Sequence, residues 1–70
     1  MDNFAVRLQN LRKEQKVPQK DLAEKLGITV RAYHYYEAGK RYPDFQGLII
    51  LADYFGVTLD YLVGRSDRRT

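Results

Sequence analysis

Apolar residues recur along this chain at helical spacing, three or four residues apart, and no segment alternates apolar and polar residues for long. Phe4, Leu8 and Leu11 follow this spacing and predict a first helix over about residues 3–16. Glycine, proline and residues that cap helices divide the rest of the chain into four further helical segments. The pattern therefore predicts an all-α fold with five helices.

Two short helices follow the first and are separated by the sequence LGIT. Pro18 is expected to open the second helix, PQKDLAEKLG, because its missing N–H would have no partner in a first turn. Gly27 can end this helix in the left-handed conformation. Thr29 can cap a third helix over about 29–38, with Gly39 after it. The residues of the second helix expected in the core are Leu22, Ala23 and Leu26.

Two more helices are predicted in the C-terminal half. Asp44 can cap a fourth helix, DFQGLIILADYFG, which Gly56 ends, and Thr58 can cap a short fifth helix, LDYLVG. Residues 65–70, RSDRRT, form a polar basic tail that we expect to be frayed, so the folded domain is expected to span 1–64. The fourth-helix residues at core spacing are Phe45, Leu48, Ile49, Ala52 and Phe55.

The second and third helices are too short to be stable alone in water and must share a core. Two such helices joined by a turn of a few residues predict a helix-turn-helix. Small Ala23 lets the two axes approach, Gly27 makes the turn and Ile28 fills the corner. Tyr33 and Tyr36 then lie three residues apart on the inward face of the third helix. We interpret both as core residues whose hydroxyls reach solvent or a partner.

The remaining face of the third helix carries side chains that can recognise DNA bases. Such a helix fits the major groove, where base edges present a distinguishable pattern of donors and acceptors. The fork of Arg31 matches guanine O6 and N7, and Val30 can contact a thymine methyl group. Tyr35 can donate to a base or a phosphate, and Thr29 is expected to assist. His34 lies further round the helix, so we expect it to contact the DNA backbone.

Basic residues are concentrated where these helices are predicted. Residues 12–41 contain eight Lys or Arg and four Asp or Glu, a net charge of +4, whereas residues 42–64 contain three Asp and no Lys or Arg. The whole chain has a net charge of +3. One half of the domain is therefore expected to face a polyanion, and Lys20 in that half is expected to contact phosphate.

The segment QKDLAEKLGITVRAYHYYEAGKRYP resembles the helix-turn-helix domain of phage repressor and Cro proteins, the Xre-like regulators. The resemblance extends from FAVRLQNLR to TLDYLVG and implies a compact, repressor-like DNA-binding domain of five helices. It also implies that Gln19 contacts a phosphate, that Lys40 and Arg41 contact the DNA backbone, and that a structural ion pair forms between Arg12 and Glu37. The matching positions are Gln19, Leu22, Ala23, Leu26, Gly27, Glu37, Gly39 and Pro43. The chain departs from the family at Pro18, where a serine or threonine usually caps the second helix, and at Tyr33 and Tyr36, where aliphatic residues or tryptophan are usual.

Several other classes of function find no support in the sequence. There is no cysteine, and the single histidine has no cluster of carboxylates near it, so we expect no metal site. We find no nucleophile with a base partner and no glycine-rich phosphate loop, and therefore predict neither an enzyme nor a cofactor. No apolar run approaches the ~20 residues that span a bilayer, and MDNFAVRL lacks the features of a secretory signal. We expect a cytoplasmic protein with no membrane partner and no small-molecule ligand.

The fourth helix is apolar around more than one face at LIILA. Together with the fifth helix it leaves apolar surface on the half of the domain that is poor in charge, which favours a homodimer interface. The alternative is a small core with single exposed apolar side chains. The residues expected in the interface are Ile50, Tyr54, Leu59, Tyr61 and Val63.

These observations favour a sequence-specific transcriptional regulator, a repressor, that binds double-stranded DNA as a homodimer on a roughly palindromic operator. A protein-interaction module, such as an antitoxin or the partner of an anti-repressor, is an alternative that would use the apolar face of the fourth and fifth helices. A third hypothesis is a protein that binds single-stranded nucleic acid by stacking bases on tyrosine rings. It is weaker, because two of the tyrosines of the third helix are needed in the core.

Overall fold

The computed structural model describes residues 3–70, so residues 1 and 2 of the predicted domain lie outside the described part. The described residues form five α-helices, which confirms the predicted all-α class. The helices, with their bounds, are α1 (Phe4–Glu14), α2 (Gln19–Leu26), α3 (Val30–Glu37), α4 (Phe45–Phe55) and α5 (Leu59–Leu62).

The ends of the helices are set by the capping residues that the sequence indicates. The side chains of Thr29, Asp44 and Thr58 each accept a hydrogen bond from a backbone N–H in the first turn of α3, α4 and α5, at distances of 2.8–3.0 Å. Gly27 and Gly56 end α2 and α4 in the left-handed conformation, with φ of 71° and 68°. Pro18 is the N-cap residue of α2 rather than its first helical residue, and its side chain makes no capping hydrogen bond.

All five helices contribute to one core. α3 packs against α1 and α2, α4 packs against α2 and α5, and α5 also reaches α1. Because α3 is held from two sides, its orientation relative to the rest of the domain is fixed by packing. The buried apolar residues are Phe4, Leu8, Leu11, Leu22, Ala23, Tyr33, Leu51, Ala52, Phe55 and Leu62. Tyr36 is half-buried and packs against this core.

The buried face of α4 differs from the predicted one. Phe45 was expected in the core, but it is 68% exposed. Leu51 is fully buried although it lies outside the predicted stripe, so the inward face of α4 is rotated away from Phe45. Pro43, just before the helix, is also buried. Spacing alone could not show this, because α4 is apolar around much of its circumference and several stripes fit the sequence equally well.

The C-terminal tail, residues 65–70, makes contacts with α1 and with the start of α5. Both terminal nitrogens of Arg69 donate to the carboxylate of Glu14, at 2.9 and 2.7 Å. The backbone carbonyl of Arg69 accepts from the N–H of Thr58 at 2.8 Å. These contacts join the tail to residues far from it in the chain, so the sequence of the tail alone does not reveal them.

Gly47 is buried on the inward side of α4, where a close approach requires glycine. A Cβ atom at this position would lie 2.9 Å from Cβ of Pro43 and 3.1 Å from Oδ1 of Asp44. That carboxylate oxygen is the one that caps the helix by accepting from the N–H of Gly47.

Within residues 3–70, no helix is long and apolar enough to cross a membrane.

Candidate nucleic-acid interface

A short turn joins α2 to α3 and fixes the angle between them. After Gly27, the N–H of Ile28 donates to the carbonyl of Ala23 at 3.0 Å, which closes the end of α2. Ile28 is half-buried against the core. Thr29 then starts α3 by accepting from the N–H of Ala32 at 3.0 Å. The turn is therefore held at both ends by hydrogen bonds, and α2 and α3 form a helix-turn-helix.

The outer face of α3 is open to solvent, as a surface that meets a large partner requires. Thr29, Arg31 and His34 are exposed, and Val30 is 45% exposed. Tyr33, on the opposite side of the same helix, is fully buried. The predicted base-reading residues at the start of α3 thus project from a helix that is anchored from behind.

Tyr35, the fourth predicted base-reading residue, is half-buried rather than fully exposed. The guanidinium carbon of Arg41 lies 5.1 Å from the centre of the Tyr35 ring, a distance typical of a cation–π contact. Arg41 and Lys40, the predicted phosphate contacts of the loop after α3, are both exposed. The C-terminal end of α3 and this loop therefore form one basic surface with an aromatic ring in it.

A nearly buried polar network lies behind α3 and centres on the carboxylate of Glu37, which is 3% exposed. Arg12 donates to it twice, from Nε at 2.6 Å and from Nη2 at 3.1 Å. The hydroxyl of Tyr33 donates to the same carboxylate. Nε2 of Gln19 donates to it at 3.2 Å. The network joins α1, α2 and α3 and fixes the position of α2 relative to α3.

The protonation states in this network follow from its hydrogen bonds. Burial by itself would raise the pKa of the Glu37 carboxyl, but the hydrogen bonds from Arg12, Tyr33 and Gln19 outweigh burial and hold the pKa below its usual range. Burial and the hydrogen bond to Glu37 raise the pKa of Tyr33 above its usual range. The hydrogen bond to Glu37 also raises the pKa of Arg12. Glu37 is therefore an ionised acceptor at neutral pH, surrounded by donors.

The start of α2 carries two of the predicted phosphate contacts. Gln19 is half-buried, with its amide partly used by the hydrogen bond to Glu37, and Lys20 is exposed. Pro18 contributes no side-chain cap, and the N–H of Asp21 donates to the Pro18 carbonyl at 3.1 Å. The N–H groups of Gln19 and Lys20 are therefore those that an anion could meet. A helix N-terminus with uncapped N–H groups can bind an anion such as a phosphate oxygen.

The residues predicted for a dimer interface fall in different surroundings. Ile50 is half-buried and Tyr54 is 37% exposed, and together with Lys25 and Asp53 they line an open groove between α2 and α4. Leu59 and Val63 are half-buried on and just after α5.

Tyr61, the fifth residue predicted for the dimer interface, is already covered within the chain. The guanidinium carbon of Arg7 lies 4.2 Å from the centre of its ring, and that of Arg69 lies 5.2 Å from it. Nη1 of Arg7 also donates to the carbonyl of Tyr61 at 2.8 Å. These contacts leave less of the Tyr61 ring free for a partner than the sequence suggested.

The hydroxyl of Tyr33 takes part in the network around Glu37. The sequence predicts a hydroxyl that reaches solvent or a partner, whereas this hydroxyl donates to Glu37 in the same helix. Tyr33 and Glu37 are four residues apart, a spacing that brings side chains together on one helix face. This four-residue spacing is the feature of the sequence from which the contact could have been predicted. Arg12 likewise gains a third acceptor that was not foreseen, the carbonyl of Val17, at 3.2 Å from Nη1.

Comparison with known proteins agrees with this architecture. The sequence model of the family described as helix-turn-helix matches residues 8–62. A crystal structure of a transcriptional regulator from Listeria innocua superimposes with a TM-score of 0.84 at 41% identity, over 87% of this chain and 57% of that one. The resemblance found in the sequence is thus confirmed in both sequence and structure.

Curated relatives point to the same family. The chain is 43% identical to the HTH-type transcriptional regulator YqaE of Bacillus subtilis, over 94% of this chain and 58% of that protein. It is 36% identical to the phage CTXphi transcriptional repressor RstR of Vibrio cholerae, over 84% of this chain and 53% of that protein. The chain thus spans little more than half the length of these relatives. The family match and the geometry of α2 and α3 show that the chain belongs to the helix-turn-helix family.

Proposed function

We propose that the protein is a transcriptional regulator, a repressor, that recognises a specific double-stranded DNA sequence with α3 in the major groove. The observation that carries the proposal is the division of α3 into two faces. Arg31 and its exposed neighbours form the outer face, while Tyr33 and Glu37 anchor the inner one. The relatives named above are transcriptional regulators, which supports this use of the fold. Such a protein acts beside the chromosome, so we expect it in the cytoplasm.

Phosphate contacts from both sides of α3 would set the position of that helix on the duplex. At the start of α2, the backbone N–H groups and the side chain of Lys20 would contact a phosphate, and Gln19 would donate its second amide N–H to it. Beyond the end of α3, the exposed side chains of Lys40 and Arg41 supply positive charge, and His34 is exposed on α3 itself. Contacts of this kind carry no sequence information, but they fix the register in which base contacts are made.

Base contacts would come from the outer face at the start of α3. Arg31 has the planar fork that binds guanine O6 and N7 with two hydrogen bonds. Val30 offers an apolar side chain to a thymine methyl group. The Thr29 hydroxyl accepts from Ala32 and keeps its own hydrogen for an acceptor on a base. Tyr35 is half-buried, and its hydroxyl would be the group that donates to a base.

We further propose that two copies associate through the groove between α2 and α4, so that two recognition helices meet successive turns of the duplex, ~34 Å apart. The exposed rings of Tyr54 and Phe45 lie on α4, and Ile50 lines the groove with Tyr54. Lys25 and Asp53 flank the same groove, so a two-fold arrangement could bring the lysine of one copy to the aspartate of the other. Leu59 and Val63 would extend the contact, and Tyr61 would contribute only its uncovered part.

Selection of bound duplexes from a random pool tests the DNA-binding proposal. We expect enrichment of one motif, and a two-fold symmetric motif would also support the dimer. Retention of every sequence to the same extent, or no affinity for duplex DNA at low salt, would contradict sequence-specific binding. Competition with single-stranded DNA completes the test, because a protein that reads the major groove must prefer the duplex.

Sedimentation of the free protein tests the dimer separately. Tyr54→Glu adds a charge to the groove and is expected to shift the protein towards the monomer. Val6→Glu is the matched control, because Val6 is 58% exposed on α1 and lies outside the proposed interface. Equal sedimentation of wild type and Tyr54→Glu across the concentration range would contradict this interface.

A further inference from the structure

We infer that Tyr35 acts on DNA chiefly as a positioning residue, by holding the guanidinium of Arg41 ready for a phosphate. This inference rests on the proposed function and assigns Tyr35 a different part in it from base reading. It follows from the contact between the two side chains, the backbone hydrogen bonds at the end of α3, and the planar arrangement of the N–H donors of arginine.

The side chains of Tyr35 and Arg41 already meet in the free protein. The guanidinium carbon of Arg41 is 5.1 Å from the centre of the Tyr35 ring. Tyr35 is half-buried on α3, whereas Arg41 is exposed in a loop. An exposed arginine otherwise samples many rotamers and loses that freedom when it binds. The ring limits this freedom before any DNA arrives.

The backbone holds the two residues in this relation as well. Gly39 has a φ of 75° and turns the chain back at the end of α3. The N–H of Lys40 then donates to the carbonyl of Tyr35 at 3.0 Å, and the N–H of Arg41 donates to the same carbonyl at 3.3 Å. The N–H of Gly39 donates to the carbonyl of Tyr36 at 3.2 Å, and this bond and the one from Lys40 together make the hydrogen-bond pattern of a Schellman helix end. The loop leaves α3 in a fixed direction, which brings Arg41 over the ring of Tyr35.

Contact through the face of the guanidinium is compatible with a phosphate contact. The five N–H donors of arginine lie in the plane of the group, so they point outward when its face covers an aromatic ring. These donors match the oxygens of a phosphate. A lysine cannot use a planar face in this way, and Lys40, next in the chain, is therefore a natural comparison.

A positioning role has a consequence that a base contact does not. If Tyr35 acts by ordering Arg41, its removal weakens binding to all duplexes alike, and the loss depends on Arg41 being present. If Tyr35 reads a base through its hydroxyl, its removal alters the preference between sequences, and the loss is independent of Arg41. The two roles are therefore separated by the energetic coupling between the two residues.

The test measures the loss of duplex affinity caused by Arg41→Ala in three backgrounds: wild type, Tyr35→Phe and Tyr35→Leu. Phenylalanine keeps the ring without the hydroxyl, and leucine removes the ring. We expect the same loss in wild type and Tyr35→Phe, and a loss about two- to five-fold smaller in Tyr35→Leu, the range expected for an exposed cation–π contact. The coupling should be equal on the selected duplex and on a scrambled one.

Lys40→Ala in the same backgrounds is the control, and its loss should not change with the residue at position 35. If Tyr35→Leu does not fold, as judged by circular dichroism, Tyr35→Gln takes its place as a variant without the ring. Equal losses from Arg41→Ala in all three backgrounds, or a Tyr35→Phe protein that behaves like Tyr35→Leu, would overturn the inference while leaving the proposed function intact. A wild-type protein that binds no duplex would overturn both.

Discussion

Arg12 and Glu37 form an ion pair through two hydrogen bonds, of 2.6 and 3.1 Å, which connects the end of α1 to the end of α3. The side chains are 15% and 3% exposed, so the pair is largely removed from water. A carboxylate in that position is tolerated because Tyr33 and Gln19 supply the other donors. The ion pair thus holds the last turn of the proposed recognition helix. Removal of only one of its two charges would leave the other buried without a partner and would lower the stability of the protein.

Replacement of either partner of this pair should destabilise the protein strongly. We expect Arg12→Ala and Glu37→Ala each to lower the free energy of unfolding by about 3–5 kcal/mol, because each leaves the other charge without its partner in a buried site. The double variant should be less destabilised than the sum of the two. Urea denaturation at neutral pH measures all three changes.

The exposed pair between Glu14 and Arg69 is the matched control for this experiment. Its side chains are 48% and 47% exposed, so solvent screens the interaction. We expect Glu14→Ala to change stability far less than Glu37→Ala does. Similar effects of the two substitutions would mean that burial does not set the importance of the Arg12–Glu37 pair.

Stability should depend on pH through Glu37. Its pKa is lowered in the folded protein, and a glutamate in the unfolded chain titrates near ~4.3. The unfolded state therefore binds a proton more readily than the folded state does. The stabilisation from Glu37 should be fully present above about pH 5 and should fall as the pH drops through the folded-state pKa.

Unfolding midpoints of wild type and Glu37→Gln across the acid range check this expectation. Glu37→Gln should be less stable at neutral pH, and its stability should fall less on acidification. Glu14→Gln is needed beside it, because the hydrogen bond from Arg69 also lowers the pKa of Glu14. Parallel acid profiles for wild type and Glu37→Gln would show that other carboxylates govern the pH dependence.

The sequence allowed the helices to be predicted because their boundaries depend on local chemistry. The hydroxyl of Thr29 and the carboxylate of Asp44 act within one turn of their own position. The left-handed turn at Gly27 is also a local requirement. The helix-turn-helix could therefore be identified from residues close together in the chain, and the buried Tyr33 followed from helical spacing.

What could not be predicted depends on contacts between distant parts of the chain. The exposed position of Phe45 is set by which face of α4 meets the other helices, and the apolar sequence of α4 does not distinguish between faces. The docked tail depends on Glu14, 55 residues away from Arg69. The contact of Arg41 with the ring of Tyr35 depends on the path of the loop after α3, which composition does not specify.

Gly47→Ala should destabilise the protein although alanine favours helices. The added Cβ would lie 2.9 Å from the rigid ring of Pro43 and 3.1 Å from the capping oxygen of Asp44. Overpacking of this kind costs about 1–3 kcal/mol, and the gain in helix propensity of ~1 kcal/mol offsets only part of it.

Thermal and urea unfolding measure the Gly47→Ala effect, with Gln46→Ala, at an exposed neighbouring position, as the control that should be nearly neutral. A Gly47→Ala protein as stable as wild type or more stable would mean that Pro43 and Asp44 can move aside freely.

Lys40→Ala should weaken binding to every duplex by a similar factor, because a phosphate contact carries no sequence information. It should also reduce the dependence of the logarithm of the binding constant on the logarithm of salt concentration by about one unit. Lys13→Ala is the control, since Lys13 is exposed at the end of α1 and we assign it no DNA contact. If both variants keep the wild-type salt dependence, Lys40 does not contact phosphate.

Arg31→Ala should reduce affinity for the selected duplex by about 1–3 kcal/mol and relax the preference at one base pair, because it removes a contact to two acceptors of one base. Arg31→Lys separates charge from geometry, since it keeps the positive charge but lacks the planar fork. We expect Arg31→Lys to bind scrambled duplex about as well as wild type does and still to lose discrimination at that base pair. Binding isotherms on duplexes substituted at each position give both quantities. If Arg31→Ala lowers affinity for selected and scrambled duplexes by the same factor, Arg31 contacts the DNA backbone and the base-reading role must pass to other residues on the outer face of α3.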